Sequence, residues 1–76
     1  MNEKRRKKLR TAMTFLDSAN TIIGGVLEEE RDTLDNWPES LQESEKYIVS
    51  EDACDTLDEV VEHIVDARVM LYEVSH

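Results

Sequence analysis

The sequence predicts an all-α protein: an antiparallel hairpin of two long helices that self-associates into a four-helix bundle. Three observations carry this expectation. Apolar residues recur in alternating steps of three and four through both halves of the chain, the spacing of a helix face rather than of a strand. The only proline and the only tryptophan sit together between those halves, in "DNWPESLQESEKY", where a turn is needed. Finally, 76 residues make one domain at most, and a fold of that size hides only about 60% of the surface its unfolded chain exposes.

The first helix is expected over residues 3–34, with Asn2 as its N-cap. One apolar row runs Leu9, Met13, Leu16, Asn20, Ile23, Leu27, Leu34, and a second, Ala12, Phe15, Ala19, Ile22, Val26, lies beside it. Asn20 interrupts the first row, either to fix register in a bundle or as a tolerated, partly wet position. Gly24 and Gly25 each cost roughly 1 kcal/mol inside a helix relative to alanine. Both fall away from the apolar face, as a bend, a place for close backbone approach, or an exposed weak spot.

The second helix is expected over residues 45–74, capped by Ser44 with Glu45 in its first turn; a later start with Ser50 as the cap is the alternative. Its main row is Ala53, Leu57, Val60, Ile64, Ala67, Leu71, Val74, flanked by Tyr47, Cys54, Val61, Val65, Arg68 and Tyr72. In the elbow, residues 35–44, Asn36 suits a left-handed helix end, and Pro38 either stops the first helix or begins a short turn. Trp37 and Leu41 lie off both seams: they plug the open end of the bundle, or they form an exposed contact patch.

Each helix would be about 45 Å long. Faces two rows wide exceed what one antiparallel neighbour covers, so Leu16, Ile23, Leu27, Leu57, Ile64 and Leu71 are expected to hold copies together, a homodimer being the simplest bundle. No disulfide can add stability, because Cys54 is the only cysteine, and a lone thiol points to a reducing, cytoplasmic setting. The basic start is followed by a segment interrupted by Arg10, Asp17 and Asn20, unlike a secretion signal, and no apolar run is long enough to span a bilayer. No membrane association is expected.

Charge is the most unusual global property, with 18 acidic and 9 basic residues giving a net −9. Residues 1–10 hold Lys4, Arg5, Arg6, Lys7, Lys8 and Arg10 against Glu3, whereas the rest holds three basic residues (Arg31, Lys46, Arg68) and 17 acidic ones. The two ends therefore present opposite fields.

The stretch Asp35, Asn36, Trp37, Pro38, Glu39, Leu41, Gln42, then Ser44, Glu45 and Tyr47 leading into "SEDACDTLDEVVEHI", resembles a group of short acidic helical proteins encoded by phages and prophages of Gram-positive bacteria. The resemblance spans roughly residues 30–70; Ser40 stands where that group usually has asparagine, and Lys46 where it has arginine. It implies a phage setting in a bacterial host cytoplasm and no particular mechanism, since the group has no assigned function.

Enzymatic chemistry finds little footing. Glu59 and His63 stand one turn apart, and Glu29/Asp32 and Glu59/Glu62 resemble the spaced carboxylates of helical nucleotide pyrophosphatases. Glu59, Glu62 and Asp66 nevertheless project opposite the apolar row, where carboxylates are solvated; neither a metal nor a cofactor is expected. Cys54, on the apolar flank, is read as a buried thiol. The basic segment could neutralise phosphates of a nucleic acid, or pair with Asp66 and Glu73 brought alongside by the hairpin; the second use is favoured.

The acidic surface is the stronger functional signal. Asp35, Trp37, Glu39, Leu41 and Glu43 at the elbow, with Asp55, Asp58, Glu59 and Glu62 on the second helix, form the expected partner-binding set. A rigid row of carboxylates approximates the charge spacing of a nucleic-acid backbone and fits a basic groove in a DNA- or RNA-handling protein. The expectation is a non-enzymatic interaction protein inhibiting a host defence or nucleic-acid-processing protein; the alternatives are a nucleic-acid-associated protein using its basic start, and a structural phage component.

Overall fold

The computed structural model describes all residues 1–76 and shows two helices, α1 (Glu3–Asp35) and α2 (Glu45–Ser75), packed as an antiparallel hairpin 59 Å long and 14 Å by 13 Å across. Both expected N-caps are in place. The Asn2 side chain accepts from the Arg5 N–H at 2.9 Å, and the Ser44 hydroxyl accepts from the Tyr47 N–H at 3.3 Å, each filling a helix donor that has no partner within the helix. The later start at Ser50 is not used.

Asn36 does not adopt the left-handed conformation expected of it. Its φ is −94°, and α1 instead ends through its amide, which donates to the Asp32 carbonyl at 2.8 Å. Pro38 then opens a 3-10 turn, Glu39–Leu41, closed by the Leu41 N–H donating to the Pro38 carbonyl at 2.8 Å.

The hairpin seam is a heptad with positions a and d. In α1 it runs Arg6, Leu9, Met13, Leu16, Asn20, Ile23, Leu27, Glu30, Leu34; in α2 it runs Tyr47, Ser50, Cys54, Leu57, Val61, Ile64, Arg68, Leu71, Ser75. Every one of these is buried or half-buried. Fully enclosed apolar residues are few: Leu27, Leu34 and Cys54 form one cluster, with Tyr47 and Leu57 packed on it, and Met13 meets Ser75 at the other end.

α1 thus uses the row read from its sequence, whereas α2 is rotated. Ala53, Ala67 and Val74 turn outward, and Cys54, Val61, Arg68 and Ser75 take the inward places. The rotation lets polar groups meet along one edge of the hairpin. Arg68 Nε donates to Asp17 at 2.6 Å, and Arg31 pairs with Asp58. Arg31 and Asp58 both occupy position e, which in an antiparallel pair share one edge, leaving the g positions of both helices along the other.

Asn20 faces the seam with its side-chain oxygen buried and unpartnered, an arrangement that costs about 1–3 kcal/mol against a satisfied group. Gly24 and Gly25 are uninterrupted helix, and a Cβ built on either meets nothing within 4 Å. They are therefore a weak spot within this chain, exposed at Gly25 and half-buried at Gly24. Gly25→Ala is expected to stabilise the fold by about 1 kcal/mol, read as a higher urea midpoint with an unchanged slope.

Candidate interaction surfaces

At the elbow, the Trp37 ring folds back against Tyr47, with centroids 5.9 Å apart and planes at 68°. Its indole N–H donates to the Leu41 carbonyl at 3.1 Å, which satisfies the polar end of the ring while its body covers the seam. Trp37 is half-buried against the end of the hairpin, whereas Leu41 stands exposed. Between Trp37 and the first turns of α2 lies an open groove of about 420 Å³, lined by Trp37, Glu45, Lys46, Val49 and Ser50. Of these only Trp37 belongs to the expected partner-binding set; Glu45, Lys46, Val49 and Ser50 do not. Val49 belongs to neither apolar row of α2, and its joining to Trp37 depends on the turn.

Asp35 at the end of α1 and Glu39 and Glu43 in the elbow are exposed, and none of them lines that groove. Farther along α2, Asp52, Asp55, Glu59, Glu62 and Asp66 advance in steps of three and four on the side opposite the seam, all exposed. At 1.5 Å per residue they form a straight ridge with a carboxylate roughly every 5 Å. Asp58 does not belong to it: position e turns it to the clasped edge, where Arg31 neutralises it.

The basic segment is placed otherwise than its sequence suggested. The register of the hairpin sets Arg10 beside the end of α2, where it donates to the Ser75 carbonyl at 3.1 Å, so the residues before it extend past α2 by about 10 Å. Consequently none of its cations pairs with Asp66 or Glu73. Arg6 and Arg10 pair with Glu3, and the Arg10 hydrogen bond and charge hold the Glu3 carboxyl below its ordinary range. Lys4, Arg5, Lys7 and Lys8 are exposed without an ion pair.

Leu16, Ile23, Leu27, Leu57, Ile64 and Leu71, expected to bind other copies, lie in the seam of the single hairpin, because a long antiparallel neighbour in the same chain reaches them first. Large apolar residues left exposed along the g side are Phe15, Ile22 and Val26 of α1 and Val49, Met70 and Val74 of α2; Ile48, Val65, Val69 and Tyr72 of α2 are exposed on its other faces.

Cys54 is 3% exposed, and burial, reinforced by the Glu30 charge, raises its thiol above the ordinary value of 9.0. Such a thiol is a poor nucleophile. The folded state keeps its proton to higher pH than the unfolded chain, so this contribution to stability is complete below about pH 9 and is lost as pH rises through the folded value. Urea midpoints measured from pH 7 to pH 11 should fall more steeply for the native chain than for Cys54→Ala.

No three His, Cys, Asp or Glu side chains converge in a group that could hold a metal ion, and Glu59 and His63 both face outward. No helix is long and apolar enough to cross a membrane. Compared with family models, curated proteins and solved structures, the chain matches none.

Proposed function

We propose that this chain is a non-enzymatic interaction protein, phage- or prophage-encoded and self-associating, that inhibits a host defence or nucleic-acid-processing protein in the bacterial cytoplasm by occupying its basic groove. The observation that carries this is the ridge of Asp52, Asp55, Glu59, Glu62 and Asp66, exposed and in line on one rigid helix. Its spacing of about 5 Å per charge is of the order of the 3.4 Å per phosphate along one strand of duplex DNA. A groove built to hold phosphates meets here a row of charges it can accept without base contacts. The elbow groove, with Trp37 and Val49 beside Glu45, adds an apolar anchor of the kind that carries affinity in small interfaces.

Capture from host lysate tests this with three baits: the native chain, Trp37→Ala, and a chain with Asp55, Glu59 and Glu62 changed to lysine. A nucleic-acid-handling protein retained by the first and lost from the third is the expected result. Equal retention by all three would place the contact elsewhere.

A second function is favoured by one specific observation, the unpaired Lys4, Arg5, Lys7 and Lys8 on a projecting turn of helix. Used as a nucleic-acid arm, they would give duplex binding that disappears on removing residues 3–10 and weakens steeply with salt.

A further inference from the structure

We propose that a second copy of this chain covers the apolar g edge in antiparallel orientation, α1 against α1, with the two elbows at opposite ends of the resulting four-helix rod. This rests on the self-association proposed above and goes beyond it by fixing the face and the direction.

The first support is area. A compact protein of 8.8 kDa exposes about 4,800 Å², whereas this hairpin exposes 5908 Å². The excess is of the order of the 800 Å² that each partner contributes to a standard stable interface. The three most exposed of the large apolar side chains share one side: Phe15 is 69% exposed, Ile22 68% and Met70 65%. Because g positions of antiparallel helices share an edge, Ala12, Ala19 and Val26 of α1 run beside Val74, Ala67 and Val60 of α2, and Phe15, Ile22 and Met70 at position c widen the strip. Small residues at its centre let a second helix pair approach closely.

The second support is the order of residues along α1, which fixes the occupant and its direction. On this edge the sequence runs Lys8, Ala12, Phe15, Ala19, Ile22, Val26, Glu29. Reversed about Ala19, cation meets carboxylate, Ala12 meets Val26 and Phe15 meets Ile22. A second copy of α1 running the other way is thus its own complement, the condition for an isologous two-fold contact. The same rotation sets the projecting basic turns, Arg5 to Lys8, beside Glu28, Glu29 and Asp32 of the second copy, supplying the partners they lack within the chain. Side-by-side elbows would instead gather the acids of both copies at one end and the cations at the other, which like-charge repulsion disfavours. The α2 ridge stays outside.

Sedimentation equilibrium across the micromolar range tests each part. The native chain should sediment at twice its 8.8 kDa mass. Phe15→Asp combined with Ile22→Asp should sediment as a single chain with undiminished helical circular dichroism, since both side chains are exposed in the hairpin. Lys8→Glu and Glu29→Lys should each weaken the dimer by about tenfold, because the contact occurs twice per dimer. The double variant Lys8→Glu/Glu29→Lys should recover to within about twofold of the native chain. A folded native chain that sediments alone overturns self-association itself. A dimer that survives the aspartates overturns the face, and one for which the double swap is as weak as the single changes overturns the orientation.

Discussion

Replacing Leu27 with alanine is expected to cost about 3 kcal/mol and to lower the melting temperature by roughly 12–24 °C. Leu27 is one of four buried apolar side chains, and it sits in the cluster with Leu34 and Cys54 that gives the hairpin its densest packing. Removing its branched end takes away both its transfer from water and the contacts its neighbours made with it, and two straight helices have little freedom to close the space. A chain of 76 residues has a total stability of about 4–11 kcal/mol, so the loss is a large fraction of the whole. Val65→Ala, outside the seam and 47% exposed, should cost under about 1 kcal/mol. Thermal melts by circular dichroism compare the two, and equal shifts would mean that the seam is not where the stability resides.

Reversing Asp55, Glu59 and Glu62 to lysine is expected to slow association with the captured host protein by at least about tenfold at low salt and to flatten its salt dependence. The three residues change the charge of the ridge by six, yet all are exposed and none bonds another side chain, so helicity and melting temperature should hold. Asp58→Lys gives the useful contrast. It places a cation against Arg31 at the clasped edge and should disturb the hairpin more than the contact. Surface plasmon resonance in 50 mM and 300 mM salt, concentrations set by the length over which ions screen charge, reads the effect directly. Association rates unchanged by reversal would remove the ridge from the mechanism.

Much of this architecture was legible in the residues because its causes are local. Apolar spacing placed both helices to within one residue of their ends, and Asn2 and Ser44 cap them through donors only three positions away. The rotation of α2 was not legible. Its two apolar rows are nearly equivalent alone, and the choice between them depends on Arg68 meeting Asp17 and Arg31 meeting Asp58, across 51 and 27 residues of chain. The same long-range register leaves the basic turns past the end of α2 instead of beside Asp66 and Glu73. Asn36 was misjudged for a local reason: its amide reaches the Asp32 carbonyl directly, so the backbone need not turn left-handed. Helical phase placed Glu59, Glu62 and Asp66 opposite the apolar row, but Asp58, expected among the partner-binding acids, is turned to Arg31 by the rotation of α2, and the elbow groove required the turn that brings Trp37 to Val49.

On the proposal that a second copy covers the apolar edge, that edge sets how the molecule exists in solution, and the spacing of the elbows between copies tests it most directly. A spin label on Ser40→Cys reports that distance, with Cys54 shielded from labelling by its burial. Electron–electron dipolar spectroscopy should give a separation of about 60 Å, the value set by helices that overlap about Ala19 at 1.5 Å per residue. A separation under about 25 Å, the width of a bundle with its elbows together, or no coupling between folded chains, would contradict the account.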